Sequence, residues 1–432
     1  MDPIDSKRSY LFAMWEGGGN VPPMLSLARK LIERGHTVRW LGDGCQAEEV
    51  YGIGADFSSW TRAPHRADRD NASDFLRDYE AANPVEQFAL LRDRLMIGPA
   101  GLHAQDLIEA LREQPADALV SSEMLFGAML AAEQTGTPLV LVGSQLSIFP
   151  VPGIPPLGSG LPPARDEAMR VLQAEIAGQG MALMNQALPA LNAARAQLGL
   201  AALEHVGAQA AVARRYLLLT SRAFDFPATE LPPHLRYVGP ELEDPTWSAP
   251  WQSPWSEQDS RPLVLVAFST TFQDQAAAVA RTVAALNALR IRGLVTLGPA
   301  LTEAPIAATE AVRAVASAPH SAVLPHSSVV VTHGGHGTVM RALVAGVPLL
   351  ILPMGRDQHD NAIRVTERGA GLQLPAMATE QEIRMAIEQL LSEPRYREAA
   401  RRLGDSIRAE AARSSAVAEL EAAATRTAAR AA

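Results

Sequence analysis

The chain has 432 residues, of which 47% are hydrophobic and 20% are charged, a globular composition long enough for two domains. Its 38 basic and 47 acidic side chains give a net charge of −9, which argues against a nucleic-acid partner because such a partner favours a basic face. A single cysteine, Cys45, excludes an internal disulfide framework. The N-terminus is polar and acidic, and the sequence has no long apolar run. Together with the single cysteine, these features predict a cytoplasmic protein without a membrane span.

The N-terminal part begins with a strand–helix–strand pattern. Ser9–Trp15 reads as a buried strand, and residues 16–20 (EGGGN) form a glycine-rich turn. Pro22 and Pro23 suit the first turn of a helix, where a missing N–H costs nothing, and apolar residues then recur at helical spacing. Thr37–Leu41 reads as the next strand, so the pattern predicts a βαβ unit that opens an α/β domain.

Later strands of the same sheet are predicted at Asp117–Val120 and Pro138–Val142. Two other segments of this half lack the regular alternation: residues 62–104, which are charged and irregular, and the Pro/Gly-rich residues 151–163. We expect both segments to line a binding cleft, because binding surfaces concentrate on loops over a rigid scaffold. Surface loops without a role are the alternative.

The boundary between the two halves is predicted within residues 239–261. This stretch has no hydrophobic period and is rich in turn-forming residues, which is typical of a linker. It separates an N-terminal domain at residues 1–238 from a C-terminal domain at residues 262–410, which is followed by a helical tail at residues 411–432. Strands of a second βαβ series are predicted in the C-terminal domain at Pro262–Phe268, Leu294–Leu297, Val329–Val331 and Leu349–Leu352.

A glycine-rich turn between the last two of these strands carries the strongest signal of a ligand site. Gly334, Gly335 and Gly337 let backbone N–H groups approach an anion closely. The helix that follows directs its free N–H groups and positive dipole end to the same point. His333 and Thr338 add side-chain donors. The turn is therefore predicted to bind an anion.

A polar cluster follows the last strand of this series. Asp357, Gln358 and Asn361 supply carboxylate and amide groups that suit hydroxyl groups of a ligand. Together with the anion-binding turn, they predict a diphosphate beside a polyol.

Residues 333–338 (HGGHGT) and the pair Asp357-Gln358 resemble the C-terminal donor motif of the bacterial nucleotide-sugar glycosyltransferases of the GT-B fold. These are the natural-product and macrolide type, related to the UDP-glycosyltransferases of family 1. The resemblance implies an α/β fold of two Rossmann-like domains facing across a cleft, with the C-terminal helix crossing back onto the N-terminal domain.

It also implies an activity: inverting, metal-independent transfer of a sugar from a UDP- or dTDP-sugar to a small hydrophobic, hydroxylated molecule, here called the acceptor. The nucleotide sugar would be a substrate, so no cofactor is expected. The N-terminal domain would bind the acceptor, and the C-terminal domain would bind the nucleotide sugar.

The resemblance assigns donor-binding roles to several residues. His333 would donate to the β-phosphate, with Gly335, His336, Gly337 and Thr338 beside it, and Asp357 and Gln358 would bind sugar hydroxyls. Ser269 and Thr270 follow a predicted strand and would contact the diphosphate, although a simple helix cap is the alternative. His320 lies where the nucleotide base is bound in the family, with a surface histidine as the alternative.

Two positions depart from the family pattern. Relatives usually carry a small residue or a tryptophan where this chain has His336. Some relatives carry an acidic residue for the ribose hydroxyls where this chain has Arg341, and its absence permits a deoxyribose donor such as a dTDP-sugar. A metal site built from His333, His336, His359 and Asp360 is disfavoured because the spacing does not suit a metal.

The catalytic base is where the pattern breaks. Transfer to a hydroxyl needs a general base near the anomeric carbon, and in the family a histidine in the first glycine turn commonly serves. This chain has Asn20 there, and an amide cannot accept a proton at neutral pH, although it can orient an acceptor hydroxyl. Glu123 is the candidate base, and Glu16 is another carboxylate near the turn. Further candidates in the irregular segment are Asp68, Asp70, His103 and Asp106.

Three interpretations of this site remain open. A carboxylate such as Glu123 is the base, or the acceptor is acidic enough to need little help, or the protein binds a nucleotide sugar without efficient transfer. The last would make it an auxiliary protein of the same fold, and an epimerase is a further rival. A nicotinamide dehydrogenase is disfavoured because residues 16–20 lack the G-x-G-x-x-G spacing.

Overall fold

The computed structural model describes residues 7–244, 250–268, 273, 275–298 and 308–424. The N-terminal domain is built on a parallel sheet with the strand order β3-β2-β1-β4-β5-β6-β7. Its strands are β1 (Ser9–Ala13), β2 (Thr37–Gly42), β3 (Asp56–Ser59), β4 (Ala118–Ser122), β5 (Leu139–Gly143), β6 (Arg215–Leu218) and β7 (Leu235–Tyr237). Its helices are α1 (Val21–Glu33), α2 (Ala47–Gly52), α3 (Pro84–Leu91), α4 (Ala100–Glu113), α5 (Phe126–Thr135), α6 (Glu167–Asn185) and α7 (Leu188–Gln197).

The C-terminal domain repeats this plan with the parallel strand order β10-β9-β8-β11-β12-β13. Its strands are β8 (Leu263–Ala267), β9 (Arg292–Thr296), β10 (Val312–Val315), β11 (Val329–Thr332), β12 (Leu349–Ile351) and β13 (Gly371–Gln373). The helices are α8 (Ala276–Leu289), α9 (His320–Val323), α10 (His336–Val344), α11 (Gln358–Glu367), α12 (Glu380–Ser392), α13 (Pro394–Ala412) and α14 (Ala416–Ala423). Two parallel α/β sheets confirm the predicted fold class.

The central strands form because they are apolar along most of their length. Every residue of β4, β5, β8 and β11 is buried, as expected for parallel strands covered by helices on both faces. The predicted strands end within two residues of the observed ones. The sequence did not reveal five strands, β3, β6, β7, β10 and β13, which are three or four residues long and lie towards the sheet edges.

The last helix returns to the N-terminal domain. Ala416, Leu420 and Ala423 of α14 are fully buried in the core formed by α1 and the first sheet. Glu421 forms an ion pair with Arg34 at 2.7 Å and contacts His36 Nε2 at 3.0 Å. The helix thus lies where the family resemblance placed it. Among the described residues, we find no helix with the length and hydropathy that crossing a lipid bilayer requires.

Candidate active site between the two domains

A cavity of about 1240 Å³ lies between the two domains. It is lined by residues that follow the carboxyl ends of strands in both sheets, including Asn20 after β1, Glu123 after β4, His333 after β11 and Asp357 after β12. In parallel α/β sheets, ligands bind at this end of the strands, where the strand order reverses. Both sheets therefore present their binding edges to one shared space.

His333 lies on the C-terminal wall and is 7% exposed. Its Nδ1 is 3.4 Å from the Thr332 hydroxyl oxygen, which accepts the N–H of Gly334 at 3.3 Å. This arrangement allows the Thr332 hydroxyl to donate to Nδ1, so that Nε2 carries the ring proton. Burial lowers the pKa of His333 to about 3, and the Arg356 guanidinium acts in the same direction. The imidazole is therefore neutral at pH 7 and has one N–H to donate.

The glycine turn after His333 has no room for side chains. Gly334 has a φ of +99°, and a Cβ there would lie 2.8 Å from the side chain of Ile351. A Cβ on Gly335 would lie 2.7 Å from His333 Nε2. Helix α10 begins at His336, and the N–H groups of its first turn, which includes Gly337 and Thr338, have no partner within the helix. The tight glycine turn and the helix N-terminus thus lie together, an arrangement that suits an anion.

Asp357 lies at the start of α11 beside this turn. Its Oδ2 accepts a hydrogen bond from Asn361 Nδ2 at 2.7 Å, which leaves Oδ1 available to a ligand hydroxyl. Gln358 is 1% exposed and is engaged by the protein. Its amide oxygen accepts from Met354 N at 2.7 Å, and its amide nitrogen donates to Gln273 at 2.7 Å. Asp357 is therefore better placed than Gln358 to contact a sugar.

The cavity lining also contains His320, the first residue of α9, where the family resemblance places the nucleotide base. Its backbone N–H donates to Asp244 Oδ1 at 2.9 Å, and burial lowers the pKa of its ring to about 4, with Arg341 contributing. Arg341 donates to the backbone oxygen of Leu242 at 3.2 Å and thus holds the linker. Ser269 and Thr270 lie outside the described residues.

Asn20 lines the cavity but is tied into its own turn. Its Nδ2 donates to the backbone oxygen of Trp15 at 3.2 Å, and its Oδ1 accepts the N–H of Gly17 at 3.0 Å. The amide therefore fixes the shape of the first glycine turn. An acid–base role is excluded by its chemistry.

Glu123 lines the same part of the cavity and is 2% exposed. Burial raises the pKa of this carboxyl to about 8, and the negative charge of Asp357 on the other domain contributes. A carboxylate with a raised pKa is a stronger proton acceptor than an ordinary one. Glu123 thus combines a position at the cavity with a raised pKa, the two properties that a general base needs.

The other candidate bases have structural partners and do not line the cavity in the described part of the chain. Glu16 is held by Arg69 at 3.0 Å and by the N–H of Gly18 at 2.7 Å. Asp106 accepts the backbone N–H of Thr61 at 3.0 Å. The expectation that Asp106 lies at the cleft is therefore wrong, whereas Glu16 lies beside the first glycine turn, as the sequence indicated.

His103, Asp68 and Asp70 also do not line the cavity in the described part of the chain. The His103 ring packs edge-on against Trp60 at 4.8 Å and is 1% exposed. Asp68 accepts the N–H of Asp70 at 3.0 Å in an exposed turn. The irregular segment reaches the cavity further along, through Asp78 and residues 84–96.

The N-terminal wall of the cavity is largely apolar. The irregular segment contributes Phe88, Leu91 and Met96, and the Pro/Gly-rich loop contributes Ile154 and Leu157. A further part of this wall is helix α6, which the sequence did not reveal. Its residues at the cavity include Ile176, Met181 and Met184. None of the 19 residues of α6 is fully buried, so the apolar signal that marks a packed helix is weak.

An ion pair that the sequence did not reveal joins the two domains beside the cavity. Arg356 binds both carboxylate oxygens of Asp78, with Nε–Oδ2 at 2.9 Å and Nη2–Oδ1 at 2.8 Å. Asp78 is 1% exposed. Such bidentate pairs fix orientation strongly. The loop before Asp357 is therefore held against the N-terminal domain.

Helix α11 makes further contacts across the domain boundary. The Asp360 carboxylate accepts the N–H groups of Gly158 at 2.6 Å and Gly160 at 3.1 Å. Arg364 pairs with Asp225 at 2.7 Å. The helix that begins next to Asp357 thus also anchors the Pro/Gly-rich loop of the N-terminal wall. Within the described ranges, no group of three or more metal-binding side chains is assembled.

Several known proteins are similar to this chain in sequence and in fold. Residues 282–423 match the family described as "Erythromycin biosynthesis protein CIII-like, C-terminal domain". The 4'-demethylrebeccamycin synthase of Lentzea aerocolonigenes is 32% identical over 404 residues, which cover 91% of this chain and 94% of the relative.

Solved structures agree on the fold. The calicheamicin glycosyltransferase CalG4 has a TM-score of 0.74 at 23% identity and covers 98% of this chain and 99% of that one. Glycosyltransferase VinC, solved in complex with dTDP, has a TM-score of 0.66 at 22% identity and covers 96% and 99%. The arrangement of two sheets around one cavity is thus the GT-B fold. The sequence relatives in turn show that the protein is a glycosyltransferase. The 32% identity to 4'-demethylrebeccamycin synthase extends over 91% of this chain. The chain therefore belongs to the bacterial natural-product glycosyltransferases of family 1.

Proposed function

We propose that the protein transfers a sugar from a UDP- or dTDP-sugar to a small hydrophobic, hydroxylated acceptor, with inversion and without a metal ion. One observation carries this proposal: a single cavity has the N–H-rich turn at His333 on one side, and Glu123 with a largely apolar wall on the other. Such a cavity suits a diphosphate leaving group at one end and an apolar nucleophile at the other.

The donor diphosphate binds at the glycine turn in this proposal. His333 and the first-turn N–H groups of α10 donate to its oxygens, and the charge that develops as the diphosphate departs strengthens these hydrogen bonds. The Arg356 guanidinium adds a positive charge nearby. These fixed donors supply the electrostatic stabilisation that a metal ion supplies in other transferases. The dTDP complex of the structural neighbour VinC supports a pyrimidine nucleoside diphosphate as the leaving group.

Glu123 acts as the general base. As the acceptor oxygen bonds to the anomeric carbon, the bond from that carbon to the diphosphate oxygen breaks, and the hydroxyl proton moves to the Glu123 carboxylate. Glu123 and the diphosphate turn belong to opposite domains. Attack from the side opposite the leaving group inverts the configuration at the anomeric carbon. The raised pKa of Glu123 suits it to accept a proton from a weakly acidic hydroxyl.

The test is transfer activity with UDP- and dTDP-sugars and a panel of polyketide, macrolide and flavonoid acceptors, followed by mass spectrometry and NMR of the product's anomeric configuration. Extensive dialysis against EDTA should leave the rate unchanged. Retained configuration, or a rate restored only by added metal, would contradict the proposal. Conversion of the donor without an acceptor would indicate epimerase activity instead.

The base assignment has its own test. Glu123→Gln should lower kcat by about 10²- to 10⁴-fold, the usual contribution of a general base, and leave the Kd for UDP or dTDP unchanged. Glu175→Gln, an exposed glutamate on α6, is the matched control and should behave like the parent. Normal turnover in Glu123→Gln would remove Glu123 from this role.

A further inference from the structure

His336 has a hydrogen-bonding pattern that the family resemblance does not explain. It is 7% exposed and lines the cavity at the first residue of α10. Its Nδ1 is 3.2 Å from Asn361 Oδ1. Its Nε2 is buried and has no hydrogen-bond partner among the described residues. One ring nitrogen is therefore used by the protein, and the other is not.

The neighbours of Asn361 determine which nitrogen carries the proton. Asn361 Nδ2 donates to the backbone oxygen of Gly334 at 2.9 Å and to Asp357 Oδ2 at 2.7 Å. A backbone oxygen can only accept, so the amide nitrogen must face Gly334 and the amide oxygen must face His336. An amide oxygen also only accepts, so His336 donates from Nδ1. Because burial lowers the pKa of His336, the ring is neutral, and Nε2 carries a bare lone pair.

A buried acceptor without a donor is unfavourable, and polar groups in protein interiors are nearly always paired. The residues around His336 belong to the proposed donor site, and its ring also packs edge-on against Phe224, with 5.7 Å between the ring centroids. Gly335 and Gly337 flank His336 in the chain, and Asp357 is joined to it through Asn361. The missing partner is therefore expected to come from the ligand, and it must be a hydrogen-bond donor.

We propose that His336 Nε2 accepts a hydrogen bond from one hydroxyl group of the transferred sugar and so selects donors that carry that hydroxyl. This inference rests on the donor site proposed above. Diphosphate oxygens cannot fill the role, because they are acceptors. The sugar hydroxyls are the donors that such a substrate brings next to Asp357.

The test compares the accepted UDP- or dTDP-sugar with its 2-, 3-, 4- and 6-deoxy analogues in the parent and in His336→Ala. The parent should disfavour one of these analogues by about tenfold to a hundredfold in kcat/KM, the usual effect of leaving a buried acceptor unpaired. In His336→Ala this one preference should disappear, the preferences at other positions should remain, and the Kd for free UDP or dTDP should change by less than about twofold. Unchanged preferences at every position, or an equal fall at all positions, would overturn the proposal.

A second measurement keeps the parent sequence and so avoids any folding defect of the variant. In ¹⁵N-histidine NMR, the parent should show a protonated Nδ1 and a bare Nε2 at His336. The Nε2 signal should move on addition of the sugar nucleotide but stay unchanged with UDP or dTDP alone. A protonated Nε2 in the free protein would overturn the inference. If the parent bound neither nucleotide nor sugar nucleotide, the donor site itself would fail, and the inference with it.

Discussion

The two walls of the cavity are built by different means. The donor wall is made of backbone and short buried side chains, where glycine turns allow no added atom and every residue of β11 is buried. The acceptor wall is made of loops and of α6, in which no residue is fully buried along the helix. A wall built from backbone fixes one ligand shape, whereas apolar side chains on a loosely packed helix can repack around different ligands.

Contacts between the domains hold the donor side of the cavity in a fixed geometry. Interdomain bonds converge on the donor side, where Arg356 holds Asp78 and α11 carries Asp360 and Arg364. Among the described contacts, α6 has no comparable set of bonds across the domain boundary. Its interior even contains Gly178 and Gly180, which weaken a helix. We therefore expect strict selection of the donor and broad tolerance of acceptors.

Among the changes that compare the two walls, the largest expected effect comes from removing the hydrogen-bond donor of His333 in the donor wall. His333→Ala should lower kcat by about 10²- to 10³-fold, as the loss of one transition-state hydrogen bond does in other enzymes. Steady-state kinetics measures kcat, and calorimetry measures the Kd for UDP and dTDP. His205→Ala, an exposed histidine outside the cavity, is the control. If His333→Ala behaved like His205→Ala, the comparison between the two walls would fail.

The next effect is a pH dependence of about tenfold. With the pKa of Glu123 at about 8, roughly a tenth of the molecules carry the ionised base at pH 7 and most carry it at pH 9. The base works only when deprotonated, so kcat should rise with pH through 8 in the parent. His333 stays neutral over this range, so it should add no second step. A flat profile between pH 7 and 9, with chemistry shown to be rate-limiting, would contradict this expectation.

An effect of similar size is expected on the acceptor wall. Met181→Ala removes an apolar side chain that lines the cavity, so the KM for a large apolar acceptor should rise by about tenfold, while the KM for the donor stays unchanged. Val171→Ala changes an exposed position on the same helix and serves as the control. A shift in donor KM instead would show that α6 belongs to the donor site.

The smallest effect concerns the stability of α6. Gly178 lies in the helix interior with open space where an added Cβ would lie, so Gly178→Ala should stabilise the helix by about 0.5 to 1 kcal/mol. Gly54 also has open space but a φ of +82°, so Gly54→Ala should destabilise the protein. Denaturant unfolding of both variants gives the comparison. If Gly178→Ala also accepted fewer acceptors than the parent, the low stability of α6 would be linked to the broad acceptor range.

The same contrast explains how much the sequence could predict. The donor turn was predictable because backbone close to an anion demands glycine, and three glycines directly after a buried strand, as in residues 333–338, are typical of such a turn. Buried parallel strands such as β5 and β8 were predictable because they are apolar throughout. Helix α6 was not, since half-exposed apolar residues leave no sharp period.

Long-range pairings were also beyond the sequence. Asp78 and Arg356 are separated by 278 residues, and nothing local in either segment marks a partner. The position of Glu123 after a strand is visible in the sequence, but its raised pKa depends on how completely the folded chain surrounds it. Asn20 departs visibly from the family pattern, whereas its bonds to Trp15 and Gly17 exist only in the folded turn.

The return of α14 to the first sheet has a practical consequence for building chimeras. An exchange of acceptor halves between related enzymes with a single crossover in the linker would separate Leu420 and Glu421 from the core in which they are packed. The exchanged N-terminal domain would then pack against an α14 helix from the other enzyme. Such hybrids need a second crossover after α13, so that each amino-terminal half keeps its own final helix.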